Sequence, residues 1–136
     1  MKTKNLIAGL ILFISSVNFT SCYPDQDYTP STKDILSTGK WSVDYYYAGQ
    51  DKTTQYTNYE FNFQGNGVVN GKTTTGEFTG NWALMKDVNR NDVIEINITT
   101  QTPELTELNE IWKITDRSHS IISMNGSSEE LRIRKL

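Results

Sequence analysis

The stretch Gly39-Lys40-Trp41-Ser42-Val43-Asp44-Tyr45-Tyr46-Tyr47 constrains this chain more than any other feature of its sequence. In an extended strand successive side chains point to opposite faces, so Trp41, Val43, Tyr45 and Tyr47 are expected on one face and Ser42, Asp44 and Ala48 on the other. Tyr46 is the amphipathic exception on the outer side. A glycine ahead of a tryptophan lets the chain bend into the strand and lowers the indole onto the floor of a core.

The same scheme repeats downstream. Thr53 to Phe63 alternates, with Tyr59, Phe61 and Phe63 inward and Asn58, Glu60 and Asn62 outward. Gly65-Asn66-Gly67 reads as a turn, and Val68-Val69 as a short strand ending in a tight Asn70-Gly71 hairpin. Thr73 to Leu84 is a long strand with Phe78, Trp82 and Leu84 inward, its Gly76 and Gly80 relieving a strongly coiled backbone. Asp87 to Asp92 is the next turn. Val93 to Thr100 places Ile94, Ile96 and Ile98 on one face. Gln101 to Glu107 is a loop containing Pro103, and Leu108 to Thr115 a strand with Leu108, Trp112 and Ile114 in phase. Asp116-Arg117-Ser118 and Asn125 to Ser128 are turns around Ile121 to Met124, and Leu131 to Leu136 ends the chain. About eight short strands with short connections predict an all-β fold, an antiparallel up-and-down barrel, because closure removes exposed edges. A two-sheet sandwich is the alternative.

The N-terminal third follows other rules. Met1 to Asn5 carries Lys2 and Lys4, Leu6 to Ile14 is an apolar run too short to span a bilayer, and Ser15 to Ser21 is small and polar. That layout predicts a secretory signal over residues 1–21. Phe19-Thr20-Ser21-Cys22 resembles the bacterial lipobox, with Phe19 where leucine is usual. Cys22 is the only cysteine of the chain and is expected to carry the lipid anchor. Stable anchoring takes more than one acyl chain, and the three of a mature lipoprotein suffice. Residues 22–38 are then a lipidated N-terminus and tether, polar from Tyr23 through Thr32, with Lys33 to Thr38 long enough for one helical turn closing the barrel end. Asp25 and Asp27 resemble the signal that exports some Gram-negative lipoproteins to the cell surface; a plainly solvated linker is the alternative. The expected address is the bacterial outer membrane, on its periplasmic or its outer face.

With the signal go two of the 13 lysines and arginines and none of the 16 acids, leaving the chain more acidic than its formal −3. Nucleic acid, which needs a basic face, is an unsuitable partner.

Residues 39–136 resemble the compact lipocalin-like domains of bacterial lipoproteins. Gly39-Lys40-Trp41 looks like the G-x-W signature on the first lipocalin strand. Tyr59-x-Phe61-x-Phe63, Gly65-x-Gly67, Gly80-x-Trp82-x-Leu84, Ile94-x-Ile96-x-Ile98 and Trp112-x-Ile114 follow in similar order. The domain is shorter than a secreted lipocalin and lacks the C-terminal helix and disulfides. The resemblance implies an arginine of the last strand over the indole, here Arg132 or Arg134, by a cation–π contact. Thr115-Asp116 is similar to part of a second lipocalin signature, with Arg117 in place of the aromatic.

Little in the sequence suggests catalysis. His119 is the only histidine and lies in a turn, with no second ligand for zinc. No serine sits in a nucleophile elbow, and no glycine loop is arranged for phosphate. Asp87-x-Asn89-x-Asn91 has the opening spacing of a calcium loop but lacks its later glycine and glutamate, so a hairpin turn is expected. Glu129 and Glu130 point opposite ways, and Glu60, Glu77 and Glu95 fall outward, so no carboxylate pair faces across a cleft. Glu110 is in the inward phase, paired there with Arg132 or Arg134 or wetted at the mouth, unless a bulge turns it out.

The function reading is a non-enzymatic module without cofactor or metal. Tyr45, Tyr47, Tyr59, Phe61, Phe63, Phe78, Trp82 and Trp112 would line a barrel holding a small apolar ligand or lipid. A small eight-stranded barrel is only just wide enough for its own side chains or for one small ligand, and the shortness of the domain favours a filled core. In that case loops and outward tyrosines, Tyr46 and Tyr56 among them, would contact an envelope protein or a glycan.

Overall fold

The computed structural model describes residues 28–136; the signal segment, Cys22, Asp25 and Asp27 lie outside the described residues. Eight antiparallel strands close on themselves in sequence order: β1 (Trp41–Ala48), β2 (Glu60–Phe63), β3 (Val68–Lys72), β4 (Glu77–Lys86), β5 (Asp92–Thr99), β6 (Ile111–Arg117), β7 (Ile121–Asn125) and β8 (Glu129–Lys135). Two short helices, α1 (Thr32–Leu36) and α2 (Pro103–Thr106), and a 3-10 turn (Thr53–Tyr56) complete it. The expected up-and-down barrel is therefore the fold.

Strand direction divides the connections between two ends. One end gathers α1, the turns β2–β3, β4–β5 and β6–β7, and the C-terminus. The other gathers the 3-10 turn, the β3–β4 turn, α2 and the β7–β8 turn. The α1 helix forms because Ser31 and Asp34 make a reciprocal capping box, and it buries Ile35 and Leu36 in the first end. At the opposite end Leu105, Leu108 and Tyr56 are buried. Each tryptophan indole fastens one closing segment: Trp41 Nε1 donates to Leu36 O at 3.0 Å, Trp82 Nε1 to Gln64 O at 2.9 Å and Trp112 Nε1 to Leu108 O at 3.0 Å. Large aromatics thus bury area while their one donor is satisfied by main chain.

Several local expectations are corrected. Asn70-Gly71 is not a hairpin but the middle of β3, where Gly71 faces Phe61 and Phe78; a Cβ there would stand 1.8 Å from Glu60 O. Close backbone approach, not turn geometry, requires this glycine. The turn comes later, where Thr73 N donates to Gly76 O at 2.7 Å. Thr53 to Phe63 is a 3-10 turn followed by a short strand, and Tyr56 is buried rather than outward, its hydroxyl donating to Glu104 O at 2.7 Å. The predicted loop before β6 contains α2, and β6 starts at Ile111, so Leu108 and Glu110 precede the strand.

The phase of β1 changes midway. Val43 lies opposite Ile133 and Tyr45 opposite Arg132, so Asp44 is an extra residue, a β-bulge. Beyond it the alternation inverts. Tyr46 enters the core at 1 % exposure, whereas Tyr47 is 37 % exposed and Tyr45 lies on the outer face. The assignment of Tyr45 and Tyr47 to the interior, and of Tyr46 to the surface, is thereby reversed.

Candidate functional site

Of the eight residues expected to line the interior, Tyr59, Phe61, Phe63, Phe78, Trp82 and Trp112 do so. They meet as a packed aromatic system: Phe61 on Phe78 at 5.2 Å, Phe63 on Trp82 at 5.6 Å, and Tyr46 on Tyr56 and Trp112 at 5.2 and 6.3 Å. These are edge-on or tilted geometries that favour the ring quadrupoles. Burial raises the Tyr46 hydroxyl pKa to about 12, with Glu107 adding to it, and pushes Tyr56 up further still. The space enclosed among Val43, Phe61, Phe63, Ile96, Leu108, Met124, Leu131 and Ile133 is about 10 Å³. That is room for roughly one water. The barrel holds its own side chains.

Its roomier concavity lies outside, at the seam between β1 and β2. Along its other edge β1 pairs with β8 from Trp41 to Ala48, but β2 meets it only at Trp41 and Phe61. The edge is next engaged at Tyr46, whose N–H donates to Thr53 Oγ1 at 3.0 Å and whose carbonyl accepts from Lys52 N at 2.9 Å. Ser42 to Tyr45 is therefore an edge without a neighbouring strand. Beside it opens a groove of about 460 Å³, lined by Ser42, Val43, Thr53, Thr54, Thr57, Asn58, Tyr59 and Leu136 among others. The volume is in the range of ligand sites. Asn58 is held there at φ 140°, a backbone region that side chains rarely adopt. The chemistry on offer is hydroxyls, an amide, two tyrosines, the Glu60 carboxylate paired to Lys40 at 2.8 Å, and strand backbone. Sequence reading missed the groove, because it follows from the 3-10 turn that shortens β2.

On the outer face Asp44 collects both arginines of β8, Arg132 Nε at 2.5 Å and Arg134 Nε at 2.8 Å. Their hydrogen bonds and charge, Arg134 foremost, hold the Asp44 pKa below the usual carboxylate value. Arg132 also lies over Tyr45, 5.6 Å from its centroid. Neither arginine reaches Trp41; Lys135 takes that place. Glu110 pairs with no arginine. Its carboxylate accepts from Ser127 N at 2.8 Å and from Ser127 Oγ, at the rim of the α2 end. Asp87 closes the β4–β5 turn as expected, accepting from Asn89 N and Asn91 N at 2.8 Å.

Thus the described chain is a closed eight-stranded antiparallel barrel that begins at a Gly39–Trp41 corner and is stopped at both ends. Similar barrels occur among solved structures. The chain matches a lipocalin-like protein from Bacteroides uniformis ATCC 8492 at 21% identity and TM-score 0.50, covering 75% of this chain and 99% of that one. The fold is lipocalin-like. A DUF4847 family protein from Bacteroides vulgatus ATCC 8482 superposes on this lipocalin-like barrel with TM-score 0.56 and 16% identity, over 76% of this chain and 96% of that one. An uncharacterized protein from Bacteroides eggerthii DSM 20697 does so with TM-score 0.52 and 16% identity, over 74% and 99%. No protein-family model and no curated protein matches the chain. Among the described residues no helix is long and apolar enough to cross a membrane.

Proposed function

We propose that this chain is a lipid-anchored lipoprotein of the bacterial outer membrane whose lipocalin-like barrel is a non-enzymatic interaction module. It takes an extended segment of an envelope protein against the free edge of β1. One observation carries the reading: the barrel interior is filled, while the strand edge Ser42 to Tyr45 opens onto a groove of about 460 Å³. An edge with free backbone groups is a template for strand addition, in which main-chain hydrogen bonds give affinity and flanking pockets give specificity. The hydroxyls of Ser42, Thr53, Thr54 and Thr57 suit a polar segment, and Val43 and Leu136 provide apolar contact. The basic opening, the apolar run and the lone Cys22 support the anchor. A tethered module needs no high affinity of its own, because the membrane holds both partners at high local concentration.

The test is a photo-cross-linker placed at Thr57 in living cells, with Thr99 on the far outer face as the control. Adducts from Thr57 that map to one continuous partner segment, absent from Thr99 and lost on Ser42→Trp, are expected. Equal adducts from both positions would overturn the reading. The second reading, a small apolar ligand or lipid inside the barrel, draws on the lipocalin-like fold and on the apolar lining around Met124. A bound mass in native mass spectrometry of the protein purified from its own envelope would favour that reading instead.

A further inference from the structure

The segment before β2 is suited to two conformations. Residues 53–63 alternate as a strand does, yet Thr53–Tyr56 winds into a 3-10 turn and the strand begins only at Glu60. Trp41 faces Phe61 across the β1–β2 seam, so Val43 and Tyr59 are the next residues in line. Lys40 O accepts from Leu136 N on the β8 side, and alternation then turns the main-chain groups of Val43 toward the groove. Tyr59 does not meet them. Its N–H goes to Tyr56 O at 3.0 Å instead.

A short set of contacts holds the turn. The Tyr56 ring packs edge-on against Tyr46 and Tyr59, at 5.2 and 5.5 Å, and its hydroxyl donates to Glu104 O. Lys52 Nζ meets Glu107 Oε1 at 2.8 Å, Thr53 N donates to Asp51 Oδ1, and Thr53 Oγ1 accepts from Tyr46 N. Against these contacts stand the strained backbone of Asn58, at φ 140°, and a β1 edge left without a strand. Extending the segment along β1 relieves both. With Asp44 as the extra residue, pairing onward from Val43 and Tyr59 sets Thr57 beside Tyr46 and Gln55 beside Ala48. Thr57 then keeps the inward phase of Tyr59 and Phe61, and Tyr56 comes out beside Tyr47. Residues 49–54 close the hairpin. The extended form loses the buried place of Tyr56 and gains the edge of β1.

We infer that the free edge of β1 is a slot for the chain's own residues 55–59: released from α2, they lengthen β2 and shut the groove, so a partner segment must compete with them. The anchoring of Tyr56 under α2 is what keeps the slot open. The inference deepens the reading of the groove given above and rests on it for the competing partner. The test compares the full chain, isotope-labelled and held in detergent micelles, with Tyr56→Ala, Tyr56→Phe and Asn58→Gly. The first two weaken the anchor, and the third removes the strain of the turn. Fast amide exchange at Val43 is expected in the wild type. In Tyr56→Ala it should slow about tenfold, as for a paired state populated to about nine-tenths, with strand-like carbon shifts at residues 55–59. Tyr56→Phe should show the same strand state as a minor one by saturation transfer, and Asn58→Gly should show none. Unchanged exchange at Val43 in Tyr56→Ala overturns the inference; if that variant does not fold, the absence of the minor state in Tyr56→Phe does so. In cells, adducts from a photo-cross-linker at Ser42 should fall with Tyr56→Phe and rise with Asn58→Gly, and adducts unmoved by either variant overturn the competition. Protection of Val43 with no adduct in any variant keeps the slot and overturns the partner. Adducts without protection keep the partner and overturn the slot.

Discussion

Lys135 and Trp41 face each other where the barrel closes, the ammonium 5.1 Å from the centre of the indole ring. They are direct cross-strand partners in the β1–β8 ladder. The reason a lysine holds this place, and neither arginine does, is the pleat. Lys135 shares its phase with the buried Leu131 and Ile133, while Arg132 and Arg134 fall on the opposite face and bind Asp44.

Trp41→Ala is expected to cost about 3–5 kcal/mol in urea unfolding, the range for deleting a large buried aromatic. It also frees the carbonyl of Leu36 and loosens α1. Lys135→Ala removes only the cation–π contact, about 0.5–1 kcal/mol. Arg132→Ala and Arg134→Ala each break an exposed, solvent-screened ion pair and should cost far less than Trp41→Ala.

The bulge at Asp44 predicts opposite outcomes for neighbouring tyrosines. Tyr46→Ala opens the contact with Tyr56 and Trp112 and should destabilise by about 3–5 kcal/mol. Tyr47→Ala, on the surface, should stay within about 0.5 kcal/mol. A strand without the bulge would give the reverse order in the same melting experiment.

Stability should fall at both pH extremes, for different groups. The Tyr46 pKa rises from 10.0 to about 12 on folding, and Tyr56 also rises, so the unfolded chain loses these protons first. Their contribution is whole below pH 10 and is lost as pH climbs toward 12. The Asp44 pKa is lowered from 3.8, so its contribution is present above that value and disappears as pH drops through the folded pKa. Chemical denaturation across pH should show both limbs, and Tyr46→Phe should shift the alkaline one upward.

A filled barrel gains a cavity only when a side chain is removed. Phe61→Ala is expected to lose about 3–5 kcal/mol. It should also create a dry apolar site that binds xenon or benzene, raising the melting temperature of the variant and not of the wild type. Stabilisation of the wild type by the same ligand would show that the native core is already hollow.

Much of this architecture is written in local pattern. Alternation with period two at Tyr59 to Phe63, Phe78 to Leu84 and Ile94 to Ile98 specifies both the strand and its buried face, because each side chain's direction follows from its neighbour's. The turn at Asp87 to Asn91 is equally local, its hydrogen bonds made by its own side chains. Three features depend on strands far apart in sequence. The bulge at Asp44 arises where β1 meets β8, and it alone decides which of Tyr45, Tyr46 and Tyr47 is buried. Asn70-Gly71 has the composition of a turn, yet it lies in a strand paired on both sides, where Glu60 and Phe78 come too close to admit a Cβ. The seam groove exists where the chain before Glu60 forms the 3-10 turn, with Tyr56 donating to a carbonyl of α2, instead of pairing with β1. Side-chain phase within a strand is set by covalent geometry. Register between strands, and the space left where pairing stops, are set only when the partners meet.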